Sequence, residues 1–211
     1  MANKQTKPGE LTHIDLWGKY AIFSLQGNQY YIVFVDNAGR WITIDFLKEN
    51  NQVGKMVKNY LTCLITSGRK LKYIHMDCGK EFLSDQLKEW CKERGIEIQL
   101  TAPYSPSQNG VAECINHTLI ELACAMIATN KLPEYLWEST VAQAMYLQNQ
   151  AFTITLNTMP YQIWHKNKPN VAHLREFSAL IWILLQGKYI QWKILPKSKQ
   201  RVFVSYNNSS H

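Results

Sequence analysis

Residues 11–47 read LTHIDLWGKYAIFSLQGNQYYIVFVDNAGRWITIDFL, and their rhythm decides the fold. Thr12 to Trp17 and Trp41 to Leu47 alternate polar with apolar side chains, while Tyr30 to Asp36 is aromatic and β-branched. Turn-forming Gly27-Asn28 and Asn37-Ala38-Gly39 separate the three runs, which predicts an antiparallel meander. Upstream, residues 1–10 are polar and contain Pro8-Gly9, the pattern of a flexible lead-in. Downstream, a helix is predicted over Asn51 to Thr66, closed by Ser67-Gly68. A strand from Leu71 to Met76 then stops at Asp77-Cys78-Gly79. A helix capped by Ser84 and ended by Arg94-Gly95 follows, and then a short strand, Ile96 to Leu100. The order β-β-β-α-β-α-β predicts an α/β fold, a mixed five-stranded sheet flanked by helices.

Thr101 to Gly110 holds two prolines, a glycine and small polar residues, and reads as a loop. One helix is predicted from Gln108 or Val111 to Thr129, another from Pro133 to Gln150. Beyond Ala151 the pattern weakens to strand-like pieces, Phe177 to Leu185 and Arg201 to Tyr206, set among basic residues. The expected organisation is a lead-in over 1–10, a core over 11–150 and a small, truncated basic C-terminal extension over 151–211.

The chain of 211 residues carries 23 Lys+Arg against 16 Asp+Glu, a net charge of +7. Residues 1–138 are neutral, with 15 of each sign, so the whole surplus lies in the last third. Such a surplus favours a polyanionic partner, nucleic acid ahead of membrane. Lys188, Lys193, Lys197, Lys199 and Arg201 alternate with Tyr189, Trp192 and Phe203, a pattern that suits contact with a nucleic-acid backbone and its bases. No unbroken apolar run is longer than Ala179 to Leu185, far short of the roughly 20 residues that span a bilayer. The N-terminal residues lack the apolar core of a signal peptide, so no membrane association and an intracellular location are expected. Five cysteines without a C-x-x-C pair, and histidines without H-x3-5-H spacing, argue against a disulfide framework and against zinc.

Three carboxylates stand out by context. Asp15 sits between Ile14 and Leu16 inside a predicted strand, where a buried charge is costly unless a cation compensates it. Asp77 ends a strand before a glycine turn, and Glu113 opens a helix just after the loop. On that helix Val111, Ile115, Leu119, Leu122 and Met126 form an apolar stripe, from which Glu113 points away. Spacing alone decides nothing, because 35 residues separate Asp77 from Glu113 and equally Asp45 from Glu81 and Asp85 from Glu121. His75, in a strand beside Asp77, reads as a structural residue.

The stretches THIDLWG (12–18), YIVFVD (31–36), HMDCGKEF (75–82) and above all TAPYSPSQNGVAE (101–113) resemble the integrase catalytic core of copia-type LTR retrotransposons. Leu132-Pro133 with Leu136-Trp137, Pro160-Tyr161 with Trp164, and Lys168 to Val171 with His173-Leu174-Arg175 extend the likeness, in order, over nearly the whole chain. The resemblance implies a ribonuclease H-like fold and assigns Asp15, Asp77 and Glu113 as catalytic, metal-binding acids for two Mg²⁺ or Mn²⁺ ions. It also implies that the loop bearing Tyr104, Ser105, Gln108 and Asn109, with His117 on the following helix, contacts nucleic acid. The implied activity is DNA integration: metal-dependent polynucleotidyl transfer, with 3′-end processing and strand transfer of element DNA into a target. The implied partners are DNA, or RNA, and further copies of the chain, in the nucleus when chromosomal DNA is the target. A simple ribonuclease H-type nuclease is disfavoured by the Gln-Asn-Gly-Val-Ala-Glu context.

Departures from the family pattern point to a second reading. Cys78 stands where Asn is usual, Lys80 and both Ser178 and Ser205 where Gly is usual, and Cys114 and His117 where Arg is usual. Gly18-Lys19 stands where Gly-Pro is common. Loss of two positive charges beside the site weakens phosphate contacts. The alternative is therefore a catalytically inactive, decayed or domesticated nucleic-acid-binding remnant.

Overall fold

Alternation along residues 11–47 becomes three strands in the computed structural model, β1 (Leu11–Trp17), β2 (Tyr30–Asp36) and β3 (Ile42–Leu47). The structure describes residues 6–76, 84–100, 110–184, 198–204 and 206. The three strands pair antiparallel, with Asp15 opposite Val33 and Ile32 opposite Asp45. After α1 (Val53–Thr66) the chain crosses over, and β4 (Tyr73–Met76) joins the far side of β1 in parallel, with Ile14 opposite Met76. Then α2 (Asp85–Glu93) leads to β5 (Glu97–Leu100), again parallel, and the sheet order is β3-β2-β1-β4-β5. A parallel neighbour needs such a long helical connection, whereas the meander needs only turns. Ser84 caps α2 as its sequence predicts, its hydroxyl accepting from the Leu87 N–H at 3.3 Å.

The period of two along the strands separates two cores. On one face Ile14, Ile32 and Phe34 pack with Val57, Leu61 and Leu64 of α1 and with Leu87 and Trp90 of α2. On the other, Tyr31, Val33 and Val35 pack with α3 (Gly110–Thr129) and α4 (Trp137–Gln150). The buried row of α3 is Ala112, Asn116, Leu119 and Ala123, not the row of large residues that hydropathy marks. Of that predicted stripe only Leu119 is buried; Val111, Ile115, Leu122 and Met126 flank it half-buried. Two alanines let the helix axis approach the sheet closely, and the larger side chains then fill the sides. By length and composition α3 is apolar enough to cross a membrane, and here it packs on the sheet and on α4.

Three further departures have physical causes. Residues 6–10, expected in the flexible lead-in, are tied down: the Gly9 N–H donates to Asp36 Oδ1 at 2.6 Å and Asn37 Nδ2 to Thr6 Oγ1 at 2.8 Å. Beyond residue 150 the chain forms α5 (Pro160–His165), six residues long and too short to show a helical period. Its Trp164 stacks on Trp41 with ring centroids 5.7 Å apart, and the Arg69 guanidinium lies 3.7 Å over the Trp164 ring. Finally β6 (Leu180–Leu184) and β7 (Ser198–Val202) make a separate antiparallel pair. Ser178 enters it with φ +69°, a left-handed conformation that costs a side-chain-bearing residue and explains why glycine is usual there.

Candidate active site

Asp15 lies one residue past the Ile14–Met76 pair, near the C-terminal end of β1. Alternation turns it to the α3 side, the face of Trp17 and Tyr31. There Asn116 Nδ2 donates to Asp15 Oδ2 at 2.5 Å. Burial pushes the Tyr31 phenol well above its ordinary range, and the nearby Asp15 charge adds to the effect. The Tyr31 hydroxyl and Asn116 Oδ1 are both buried without a hydrogen-bond partner among the described residues.

Glu113 is exposed in the first turn of α3. It stands three residues before Asn116, so the two share a helix face. The Asn116–Asp15 bond ties α3 to β1 one turn after Glu113. Asp77 lies outside the described residues, although its predecessor Met76 is fixed in register with the predecessor of Asp15. Asn116 is the residue that sequence reasoning missed. Its signal was positional: it sits four residues after Ala112 and three before Leu119, in the row that faces the sheet.

The other predicted residues are scattered. His117 is exposed on α3 and its Nδ1 lies 3.4 Å from Glu121 Oε2. Cys114 is exposed beside Glu113. Lys199 and Arg201 are exposed on β7, paired across from Ile183 and Ile181. Tyr104, Ser105, Gln108, Asn109, Lys188, Lys193 and Lys197 lie outside the described residues. His75 faces His13 with ring centroids 5.3 Å apart, and His13 Nε2 is 3.0 Å from Asn37 Oδ1. Burial pushes His13 down to about 4 and lowers His75 as well, so both rings are neutral at pH 7.

Carboxylate oxygens are hard donors, the type that magnesium and manganese take. Asp15 and Glu113 supply them on β1 and α3, and the Asp15 carboxylate accepts a hydrogen bond from the Asn116 amide. Among the described residues no group of three acids, histidines or cysteines gathers.

The chain resembles known proteins in sequence and in fold. Residues 5–106 match the integrase core domain family. The chain is 31% identical over 201 residues to the retrovirus-related Pol polyprotein from transposon TNT 1-94 of Nicotiana tabacum, a match covering 94% of this chain and 15% of that polyprotein. Among solved structures, the simian T-cell lymphotropic virus intasome in complex with PP2A regulatory subunit B56 gamma aligns with TM-score 0.60 at 18% identity, covering 93% of this chain and 68% of that one. The HTLV-2 integrase catalytic core domain in complex with magnesium aligns with TM-score 0.56 at 18% identity, covering 77% of this chain and all of that one. These likenesses identify the sheet and its helices as a ribonuclease H-like fold.

Proposed function

For a chain that is a homologue of copia-type transposon Pol polyproteins and carries an integrase core domain, we propose metal-dependent DNA strand transfer at Asp15, Asp77 and Glu113. The observation that carries this reading is the Asn116–Asp15 hydrogen bond, because it joins α3, one turn after Glu113, to the end of β1. Parallel register supports the third acid: Ile14 and Met76 are paired, so Asp15 and Asp77 each follow by one residue, about 3.8 Å of chain.

In this reading Asp15, Asp77 and Glu113 hold Mg²⁺ or Mn²⁺. The ions, when bound, supply positive charge at the reacting phosphate and ease ionisation of the attacking hydroxyl. The chain itself contributes geometry. Asn116 fixes the orientation of the Asp15 carboxylate, and the parallel register sets Ile14 opposite Met76, the residues that precede the first two acids. A DNA 3′-OH attacks a phosphodiester in line; one P–O bond forms, one breaks, and the departing oxygen takes up the proton. Exchange of one phosphodiester for another needs no nucleotide cofactor. The chain spans only 15% of the polyprotein it matches, and DNA, a homo-oligomer and a nuclear site of action belong to this proposal.

The test is a strand-transfer or disintegration assay with Mn²⁺ comparing the wild type with Asp77→Asn. The expected outcome is activity in the wild type and a loss of at least 100-fold in the variant. Equal DNA binding by both proteins with catalysis by neither would establish the remnant reading instead, the one to which Cys114 and the Glu121-engaged His117 point.

A further inference from the structure

The C-terminal ends of β1 and β3 lie at one edge of the sheet, because both strands run antiparallel to β2 between them. Asp15 is near that edge, and two lysines leave from it: Lys19, after β1, and Lys48, after β3. Between them is a shallow cavity of about 470 Å³ whose lining includes Lys19, Phe23, Tyr30, Lys48 and Glu49. Both lysines are exposed, and neither has an ion pair with a described residue. The single carboxylate of the lining, Glu49, is engaged by Asn51, whose Nδ2 donates to Glu49 Oε2 at 2.7 Å.

The loop that presents this surface is built, not slack. Ser24 Oγ accepts from the Asn28 N–H at 3.0 Å, and the Tyr20 N–H donates to the Gln29 carbonyl at 2.9 Å. Helix α4 holds the loop from behind: Trp137 Nε1 donates to the Ile22 carbonyl at 3.1 Å, and Asn28 Nδ2 to Glu138 Oε2 at 3.0 Å. The Lys48 side chain runs along Gly27, where an added Cβ would meet its Cε at 3.9 Å. On this fixed frame Phe23 stays 59% exposed and Leu25 71% exposed. An ordered loop that leaves an aromatic ring in solvent beside a cavity lined by two lysines suits base stacking with phosphate contacts.

We propose that Lys19, Phe23 and Lys48 form a subsite for single-stranded DNA adjoining the strand-transfer centre, with the lysines on phosphates and Phe23 under an unstacked base. The proposal rests on the strand-transfer reading and extends it to the DNA that flanks the reacting phosphate. Lys19 follows Asp15 by four positions, a chain reach of at most about 14 Å. At about 3.4 Å of rise per nucleotide of one strand, the subsite meets DNA within about four nucleotides of the reacting phosphate. Lys19 occupies a position where the family pattern has proline, so the contact belongs to this chain's own sequence. In a core that is neutral overall, these two ammonium groups give the approaching strand its local positive charge.

The test is fluorescence anisotropy of the full chain, without metal, on labelled duplex DNA with a four-nucleotide single-stranded overhang. Blunt duplex, an RNA overhang of the same sequence and heparin serve as comparisons. Lys19→Glu with Lys48→Glu is expected to weaken overhang binding at least 10-fold and to flatten the dependence of log K on log salt by about 1.4. Phe23→Ala is expected to weaken overhang binding at least 5-fold while leaving blunt duplex and heparin unchanged. Lys19→Gln with Lys48→Gln, and melting temperatures matching the wild type, exclude a folding defect. Variants that bind the overhang within twofold of wild type overturn this subsite alone. Preference for the RNA overhang, or equal loss on heparin with Phe23→Ala, also overturns it. A wild type that binds no DNA overturns the strand-transfer reading together with the subsite.

Discussion

His13 shows how one side chain ties stability to pH. It is buried in β1, paired in register with His75 and held by Asn37, and burial lowers its pKa to about 4. In the unfolded chain the same ring titrates near 6.5. Between those values the unfolded state binds the extra proton, so the contribution of His13 to stability is complete above about pH 6.5 and is lost as the pH falls towards 4. The lost contribution is about 3 kcal/mol for a shift of this size. Asp36, raised by burial, acts in the opposite sense over the carboxylate range, which is why the comparison should be made against a variant. Urea unfolding of the wild type and His13→Gln at pH 7 and pH 4.5 is expected to show a decline in the wild type that the variant largely lacks. A parallel decline in both proteins would place the acid sensitivity elsewhere.

At the scale of elements, the junction of β1 with α3 carries the proposed site. Asn116→Ala removes the amide from Asp15 and leaves a smaller residue in the row that faces the sheet. A hydrogen bond to a charged, half-buried partner supports a loss of about 1–2 kcal/mol in chemical denaturation. If Asn116 also orients Asp15 for strand transfer, activity under conditions where the variant is fully folded is expected to fall at least 10-fold, and Asn116→Gln to restore little because its longer side chain places the amide elsewhere. The sequence made much of this junction legible. Alternation located β1, an acid between Ile14 and Leu16 marked Asp15, and the family-like run before Val111 marked Glu113. Asn116 was not legible, because hydropathy ranks residues by their aversion to water and the contact row of a closely packed helix is selected for size. The same argument covers Ala112 and Ala123, which form the interface while Val111 and Met126 stand beside it. Helix α5 escaped for a different reason: its packing of Trp164 on Trp41 is a contact across more than a hundred residues, and six residues carry no measurable period.

The whole molecule divides its labour by charge and by order. The neutral part of the chain builds the two-faced sheet, while the positive surplus follows it, with Lys199 and Arg201 on a hairpin whose β6 residues Leu180, Trp182 and Leu184 remain exposed. The crossover that sets β4 beside β1 has a further consequence. It gives β1 a hydrogen-bonded strand on each side, antiparallel on one and parallel on the other, while β6 and β7, among the described residues, have only each other. Exchange of backbone amide protons with deuterated water should therefore run on two clocks. The amides of Ile14 and of its β2 partner Phe34 should exchange only when the entire sheet opens, and those of the β6–β7 pair within local fluctuations thousands of times more frequent. A carboxylate mounted on the slowest strand keeps its place through every smaller motion of the chain, so the fold's most persistent hydrogen bonds set the lifetime of the geometry around Asp15.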